Sequence, residues 1–263
     1  PFTLSFANFA KLTCAGEPEV TSDDPALLTL AMIYTTGTTG SPKGVMLTHQ
    51  NLMFSAFVSG KLRGIERGDE VYCVLPMSHV FGLSAVSSSV LFAGGCVHLI
   101  PRFDAREAVR VIAHEPVKGF LGVPTMYALM LENLPESWQP RSLKFMYSGG
   151  SPLDPDLKRQ VEARFGLPLH NGYGLTETGP TICQTRQYLP PGNTSVGYVL
   201  PGESIRILGE DSGVVTQGEV GERWVKGPNV MKGYFIFKAS TISVLLLYRI
   251  LIHIYLITIP LIA

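Results

Sequence analysis

LLTLAMIYTTGTTGSPKG, residues 27–44, sets an apolar run directly against a run that cannot pack a core. Leu27–Tyr34 reads as a buried strand. The eleven residues from Tyr34 to Gly44 then hold four threonines, three glycines and one lysine. Glycines let the backbone turn its N–H groups inward, threonine hydroxyls add donors, and a lysine adds a point charge. Together these groups suit a polyanion. The string is not a Walker A loop, G-x-x-x-x-G-K-[ST]: Pro42 precedes Lys43 and Gly44 follows it. The alternative for such a run is a plain Gly/Thr surface loop.

Working outward, short apolar runs alternate with longer amphipathic ones as far as Gly174. Thr48 is placed to cap a helix running to about Gly60. EVYCVLP (70–76), CVHLI (96–100), GFLGV (119–123), KFMYSGG (144–150) and PLHNGYG (168–174) read as strands. VFGLSAVSSSVLFA (80–93) reads as a largely buried helix. A helix over 104–115 has Asp104 at its N-cap and Glu107 completing a capping box. Pro124 opens another helix, and Gly166 closes one over 154–166. Strand, loop and helix in repetition predict an α/β fold, a mostly parallel sheet with covering helices. Ligands bind such sheets at the carboxyl ends of the strands. The opening loop, MSHVFG, SGGSP and NGYGLTE all follow predicted strands and would gather there. After about Pro191 short strands and turns predict a small β-rich portion. The organisation expected is a partial N-terminal segment (1–24), an α/β core (25–190), the β-rich portion (191–235) and a hydrophobic tail (236–263).

Lys+Arg and Asp+Glu both number 21 in 263 residues. Zero net charge argues against a broad nucleic-acid surface. Cys14, Cys73, Cys96 and Cys183 are far apart, without metal-ligand spacing. They read as thiols in a reducing compartment, and a cytoplasmic location is expected. The start has no basic region before an apolar run, so no signal peptide is read. A first residue Pro1 suggests a partial chain.

Four stretches, in order, resemble the adenylate-forming superfamily of acyl-CoA synthetases, coumarate-CoA ligases, luciferases and peptide-synthetase adenylation domains. YTTGTTGSPKG (34–44) resembles its signature loop and LPMSHVFGL (75–83) its acyl-pocket segment. NGYGLTETGP (171–180) resembles its adenine and magnesium motif, and GERWVKGPNVMKGYF (221–235) the glycine-rich segment that follows. The resemblance runs from about Asp24 to Phe235 and is nearest to acyl-CoA ligases acting on fatty or aryl acids. It implies that a carboxylate attacks the α-phosphate of ATP, and that coenzyme A then displaces AMP. By resemblance Thr35, Thr36, Gly37, Thr38, Thr39, Gly40 and Lys43 hold the β- and γ-phosphates. Thr176 contacts the α-phosphate. Glu177 holds Mg²⁺, with Thr35 as a second ligand. Tyr173 stacks on adenine, and Gly149, Gly150 and Ser151 line the adenine slot. His79 gates the passage between nucleotide and acid, while Phe81 and residues 123–127 shape the acyl pocket. Each role has a plainer rival: a surface carboxylate for Glu177, a packing aromatic for Tyr173, a core histidine for His79. The other histidines, His170 among them, read as structural.

The chain also departs from that family. No Thr-Gly-Asp follows Phe235, so the family's ribose-binding aspartate has no counterpart, and no lysine-bearing small domain is recognisable. Impaired turnover is therefore expected. From Phe235 the text is FIFKASTISVLLLYRILIHIYLITIPLIA, where Lys238 and Arg249 are the only lysine, arginine or acidic residues. The tail reads as sequence from a shifted frame, as a membrane span over 242–263, or as a buried strand pair. Arg249 inside a span would be costly. The alternatives to the ligase reading are a non-catalytic nucleotide- or acyl-binding fragment and a membrane-anchored interaction protein.

Overall fold

The computed structural model describes residues 24–36, 42–189, 192–209, 213–216, 218–219 and 221–235. Residues 1–23 of the predicted N-terminal segment, the centre of the opening loop (37–41) and the tail lie outside the described residues. No helix among the described residues is long and apolar enough to cross a membrane.

The centre is a seven-stranded sheet. β3 (Glu70–Cys73), β4 (Cys96–Leu99), β5 (Val117–Gly122), β6 (Phe145–Ser148) and β7 (Leu169–Gly174) run parallel, in the order β4-β3-β5-β6-β7. β8 (Thr181–Gln184) and β9 (Tyr198–Val199) extend it antiparallel. Alternation along the strands fills two cores. Tyr72, Phe120 and Met146 point to one face, packing with Ile112 of α3 (Ala105–His114), Tyr127 of α4 (Pro124–Leu131) and Val161 of α5 (Pro155–Phe165). Val71, Leu121, Phe145 and Tyr147 point to the other, with Val86 and Val90 of α2 (81–92). A parallel sheet covered on both faces reads as continuous apolar runs for this reason.

Helix ends follow the caps legible in the text. Thr48 and Asn51 form a reciprocal capping box that starts α1 (His49–Leu62). Pro124 stands at the first position of α4, and Gly166 ends α5 in the left-handed region at φ 69°. At α3 only the forward half of the predicted box forms. Asp104 accepts from Glu107 N, while the Glu107 carboxylate turns to Arg110 at 2.7 Å. The segment predicted as one helix over 80–93 is α2, a π-wound stretch Phe81–Ser88 continuing as the α-helical turn Ser89–Phe92. The wider coil loosens carbonyls, and Ser88 and Ser89 hydroxyls donate to those of Leu83, Ala85 and Val86.

The opening stretch is corrected in two ways. β1 (Thr29–Thr36) is not a strand of the parallel sheet. It pairs antiparallel with β2 (Pro42–Thr48), which the sequence reading missed, and β2 pairs with β12 (Gly233–Phe235). Nor is β1 buried on both faces. Ile33 faces a core with Val45, Leu47, Leu52 and Val80, but Leu30 and Tyr34 on the other face are 51% and 62% exposed. As an edge strand of a three-stranded sheet, β1 needs apolar cover on one side only. β10 (Ser204–Leu208) and β11 (Glu222–Lys226) form a separate antiparallel pair in the predicted β-rich portion.

Gly119 of β5 lies beneath the Phe145 ring, and a Cβ there would stand 2.2 Å from Cζ. Gly119→Ala should cost about 1–3 kcal/mol through overpacking, seen as a lower urea midpoint at unchanged slope. An unchanged midpoint would mean that the ring moves freely.

Candidate active site

Strand order decides where a crevice opens. The chain places β4 on one side of β3 and β5 on the other, so the connections leaving β3 and β5 diverge. That divergence at the carboxyl ends is the switch point where α/β sheets bind ligands. The segment 74–80 leaves β3 and Val123 leaves β5. Gly149 and Gly150 follow β6 beside them. A Cβ on Gly149 would stand 3.2 Å from the Phe81 ring, and one on Gly150 3.5 Å from Val123. Gly150 also takes φ +81°, where a side chain is strained. Thus Phe81 and Val123, expected in an acyl wall, meet the two glycines expected in an adenine slot. Ser151 is exposed next to them. His79 is exposed as well, and its Nδ1 accepts from Phe81 N at 3.1 Å. The core-histidine alternative for it therefore falls.

A second group comes from the hairpin. Thr35 pairs with Lys43 across β1 and β2, and alternation puts both on the same face as Ile33, Val45 and Tyr234. Lys43 Nζ lies 5.3 Å from the Tyr234 ring centroid. The Tyr234 hydroxyl donates to Glu177 Oε1 at 2.8 Å. Burial and the neighbouring Glu177 carboxylate push the Tyr234 phenol far up, so it remains a donor. A chain of contacts therefore runs from the base of the opening loop through Tyr234 to Glu177. Gly37, Thr38, Thr39 and Gly40 lie outside the described residues, as does the side chain of Thr36.

Glu177 sits with Thr176 in a single 3-10 turn, Thr176–Thr178, after β7. Two other segments fix that turn. Met231 N donates to Glu177 O at 2.9 Å. Asn229 Nδ2 donates to Thr178 O at 2.7 Å and Thr181 O at 3.1 Å. Ser84 of α2 donates to Gly179 O at 2.7 Å. Asn51 in turn donates to Pro228 O and Val230 O at 2.7 and 2.9 Å, tying α1 to the Asn229 segment. The sequence reading did not single out Tyr234, Asn229 or Asn51. Their only signal was position, inside GPNVMKGYF and one turn after the Thr48 cap.

Tyr173 is half-buried on β7, and the Arg223 guanidinium covers its ring at 4.7 Å. One ring face is thus occupied, and the side chain also packs against the apolar cluster of Ile182, Cys183, Val196 and Val225. His170 is buried against Tyr147, at 4.8 Å between rings, and its Nδ1 meets Thr185 Oγ1 at 3.0 Å. Burial pulls its pKa down to about 4, so it is a neutral structural histidine.

The donor set suits magnesium, which takes oxygen ligands and keeps several waters. A carboxylate at Glu177 and a hydroxyl at Thr35 are oxygen donors of that kind. No cluster of three or more His, Cys, Asp or Glu side chains occurs among the described residues.

Comparison with known proteins agrees with this fold. Residues 6–235 match the AMP-binding enzyme family. The long-chain-fatty-acid–CoA ligase of Bacillus subtilis is 36% identical over 227 residues, 84% of this chain and 40% of the relative. The 2-succinylbenzoate–CoA ligase of Bacillus licheniformis is 39% identical, over 83% of this chain and 44% of the relative. ATP-bound MatB from Rhodopseudomonas palustris superposes with a TM-score of 0.76 at 31% identity, covering 88% of this chain and 46% of that one. These relatives define a class of AMP-forming acid–thiol ligases. The chain belongs to the AMP-binding enzyme family, and it spans about two-fifths to a half of the length of the relatives it matches.

Asn51→Ala removes two donors and the acceptor of Thr48 N. The half-buried carbonyls of Pro228 and Val230 then lose their donors, for a loss of roughly 1–3 kcal/mol. Urea unfolding measures it, and a loss below about 0.5 kcal/mol, the scale of an ordinary surface change, would show that the tie carries no weight.

Proposed function

We propose that this chain carries the nucleotide- and acid-binding half of an AMP-forming acyl-CoA ligase. The observation that carries the reading is the Lys43–Tyr234–Glu177 chain, which joins the opening loop to the turn after β7. One relative of this fold, the Bacillus subtilis O-succinylbenzoate CoA synthetase, has been solved with an acyl-adenylate, at a TM-score of 0.74 and 34% identity.

On this reading the nucleotide lies across the strand ends. Lys43, Thr35 and the 36–40 loop hold the β- and γ-phosphates by charge and hydroxyl donors. Thr176 meets the α-phosphate, and adenine stacks on Tyr173 beside the slot at Gly149, Gly150 and Ser151. Glu177 and Thr35 hold Mg²⁺, which neutralises phosphate charge when bound. Tyr234 donates to one oxygen of Glu177 and so fixes the direction of its carboxylate. Phe81 and Val123 place the acid against the same two glycines, so carboxylate and α-phosphate meet with little freedom left to lose. His79, on the exposed turn before α2, lies between the two sites. Backbone and side-chain donors supply most of the transition-state stabilisation, because in-line displacement at phosphorus calls for positioning and charge neutralisation. Coenzyme A then receives the acyl group. The acid is a small fatty or aryl carboxylate, and the location is cytoplasmic.

A second reading is nucleotide binding without turnover, favoured by the lack of any Thr-Gly-Asp in these 263 residues. ATP–pyrophosphate exchange over fatty and aryl acids separates the two. Acid-dependent exchange supports the ligase reading, and magnesium-dependent ATP uptake without exchange supports the second.

Two substitutions test the assignments. Glu177→Gln should weaken ATP uptake in magnesium about tenfold, or about 1.4 kcal/mol, with little change in EDTA. Lys43→Ala should weaken ATP by about tenfold, or about 1.4 kcal/mol, and leave AMP nearly unchanged, because its charge belongs to the phosphates that AMP lacks. Calorimetry reads both. Equal losses for ATP and AMP would remove Lys43 from the polyphosphate end.

A further inference from the structure

One buried carboxyl group plays no part in the reading above. Both oxygens of Glu203, just before β10, are sealed from solvent and close no hydrogen bond of good geometry. Asn229 Oδ1 is sealed and lacks a donor as well. The two side chains meet over Gly227, where a Cβ would stand 2.6 Å from Glu203 Cγ and 2.6 Å from Asn229 Oδ1.

Hydrogen counting fixes what each can offer. Both amide hydrogens of Asn229 are committed, to Thr178 O and Thr181 O. Turning the amide over would set its oxygen against two carbonyls, so Asn229 keeps no well-aimed hydrogen for Glu203 and offers it the acceptor Oδ1. An ionised carboxylate is also acceptor-only, and two facing acceptors cut off from water repel. A protonated carboxyl group satisfies both orphans at once. We propose that Glu203 is a proton-bearing positioning residue, whose O–H donates to Asn229 Oδ1 and so locks the amide that holds the Glu177 turn.

The surroundings agree. Burial pushes the Glu203 pKa up to about 9; the Asn229 amide nitrogen acts in the other direction but closes no hydrogen bond of good geometry to either carboxyl oxygen. Among the described residues no lysine or arginine contributes to that shift. The titratable group facing it from β8 is the Cys183 thiol, itself pushed up to about 12 by burial and therefore neutral. Arg223 and Arg186 act on Cys183 rather than on Glu203. The consequence for Glu177 rests on the reading of that residue as a magnesium ligand, but the proton on Glu203 does not.

The test compares the chain with Glu203→Gln, whose amide donates at every pH. A carboxyl group with a raised folded-state pKa gives stability that is complete below its unfolded pKa and is lost as pH rises towards the folded one. Melted between pH 5.5 and 9.5, the unsubstituted chain should lose ground to the variant by about tenfold in folding equilibrium per pH unit until about pH 9, then hold level. Amide exchange reads the turn itself. Protection of Met231 N–H, bonded to Glu177 O, should fall above pH 9 in the unsubstituted chain and persist in Glu203→Gln. A constant gap in melting temperature, or equal Met231 protection in both proteins, overturns the proposal. Neither readout needs nucleotide, so absent ATP uptake would sink the ligase reading alone. If the variant does not fold, infrared spectra of the unsubstituted chain decide. A protonated carboxyl band at pH 7 that vanishes near pH 9 supports the assignment, and its absence at pH 7 refutes it.

Discussion

Two buried asparagine amides hold together the parts of this protein that matter for chemistry. Asn51 begins α1 and reaches Pro228 O and Val230 O, while Asn229 reaches Thr178 O and Thr181 O. Three segments are thereby fixed at one place, Asn51 bonding 177 residues along the chain and Asn229 bonding 51 residues back. Apolar packing could not do this alone, because it is non-directional and tolerates sliding. Amide bonds to named carbonyls do not, since a shift of one residue leaves buried groups unpaired. The Glu177 carboxylate owes its position to this lattice and to Tyr234.

The parallel sheet was legible in the sequence because its strands are continuous apolar runs and its helices carry readable ends. Asp104, Pro124, Thr48 and Gly166 each act locally, so their effect survives without knowledge of the fold. The hairpin was not legible. PKGVMLT begins with proline, carries lysine and glycine, and follows a loop-like run, so its local text argued against a strand. It becomes one because Val45 and Leu47 find a core with Ile33 and Leu52, a contact that no local rule contains. The π-wound start of α2 escaped for the same reason. Gly82 lies where a Cβ would stand 2.4 Å from Pro76 O, and that close approach is tertiary.

The site divides along the same line. Residues in contiguous motifs, such as Thr176 and Glu177, could be singled out as a group. Tyr234, Asn229 and Arg223 act across strands, and each looked like an ordinary strand or turn residue. Arg223 shows how much this conceals. It covers one face of Tyr173, so a base stacking on the other face would complete a cation–ring–base sandwich. In the proposed site the arginine would bear on adenine binding without touching adenine.

Phe81 sets a limit on how separately the two sites can vary. Its ring edge packs over Gly149, and Val123 packs over Gly150. A larger residue at either glycine would push into those rings and methyls, and would narrow acid and adenine spaces together. Phe81 also opens the π-wound segment whose Ser84 donates to Gly179 O. A change of acid size that displaced Phe81 would therefore reach the Glu177 turn within one helical winding. In the proposed site, acid recognition and metal positioning would thus share one element, the π-wound segment that carries both Phe81 and Ser84.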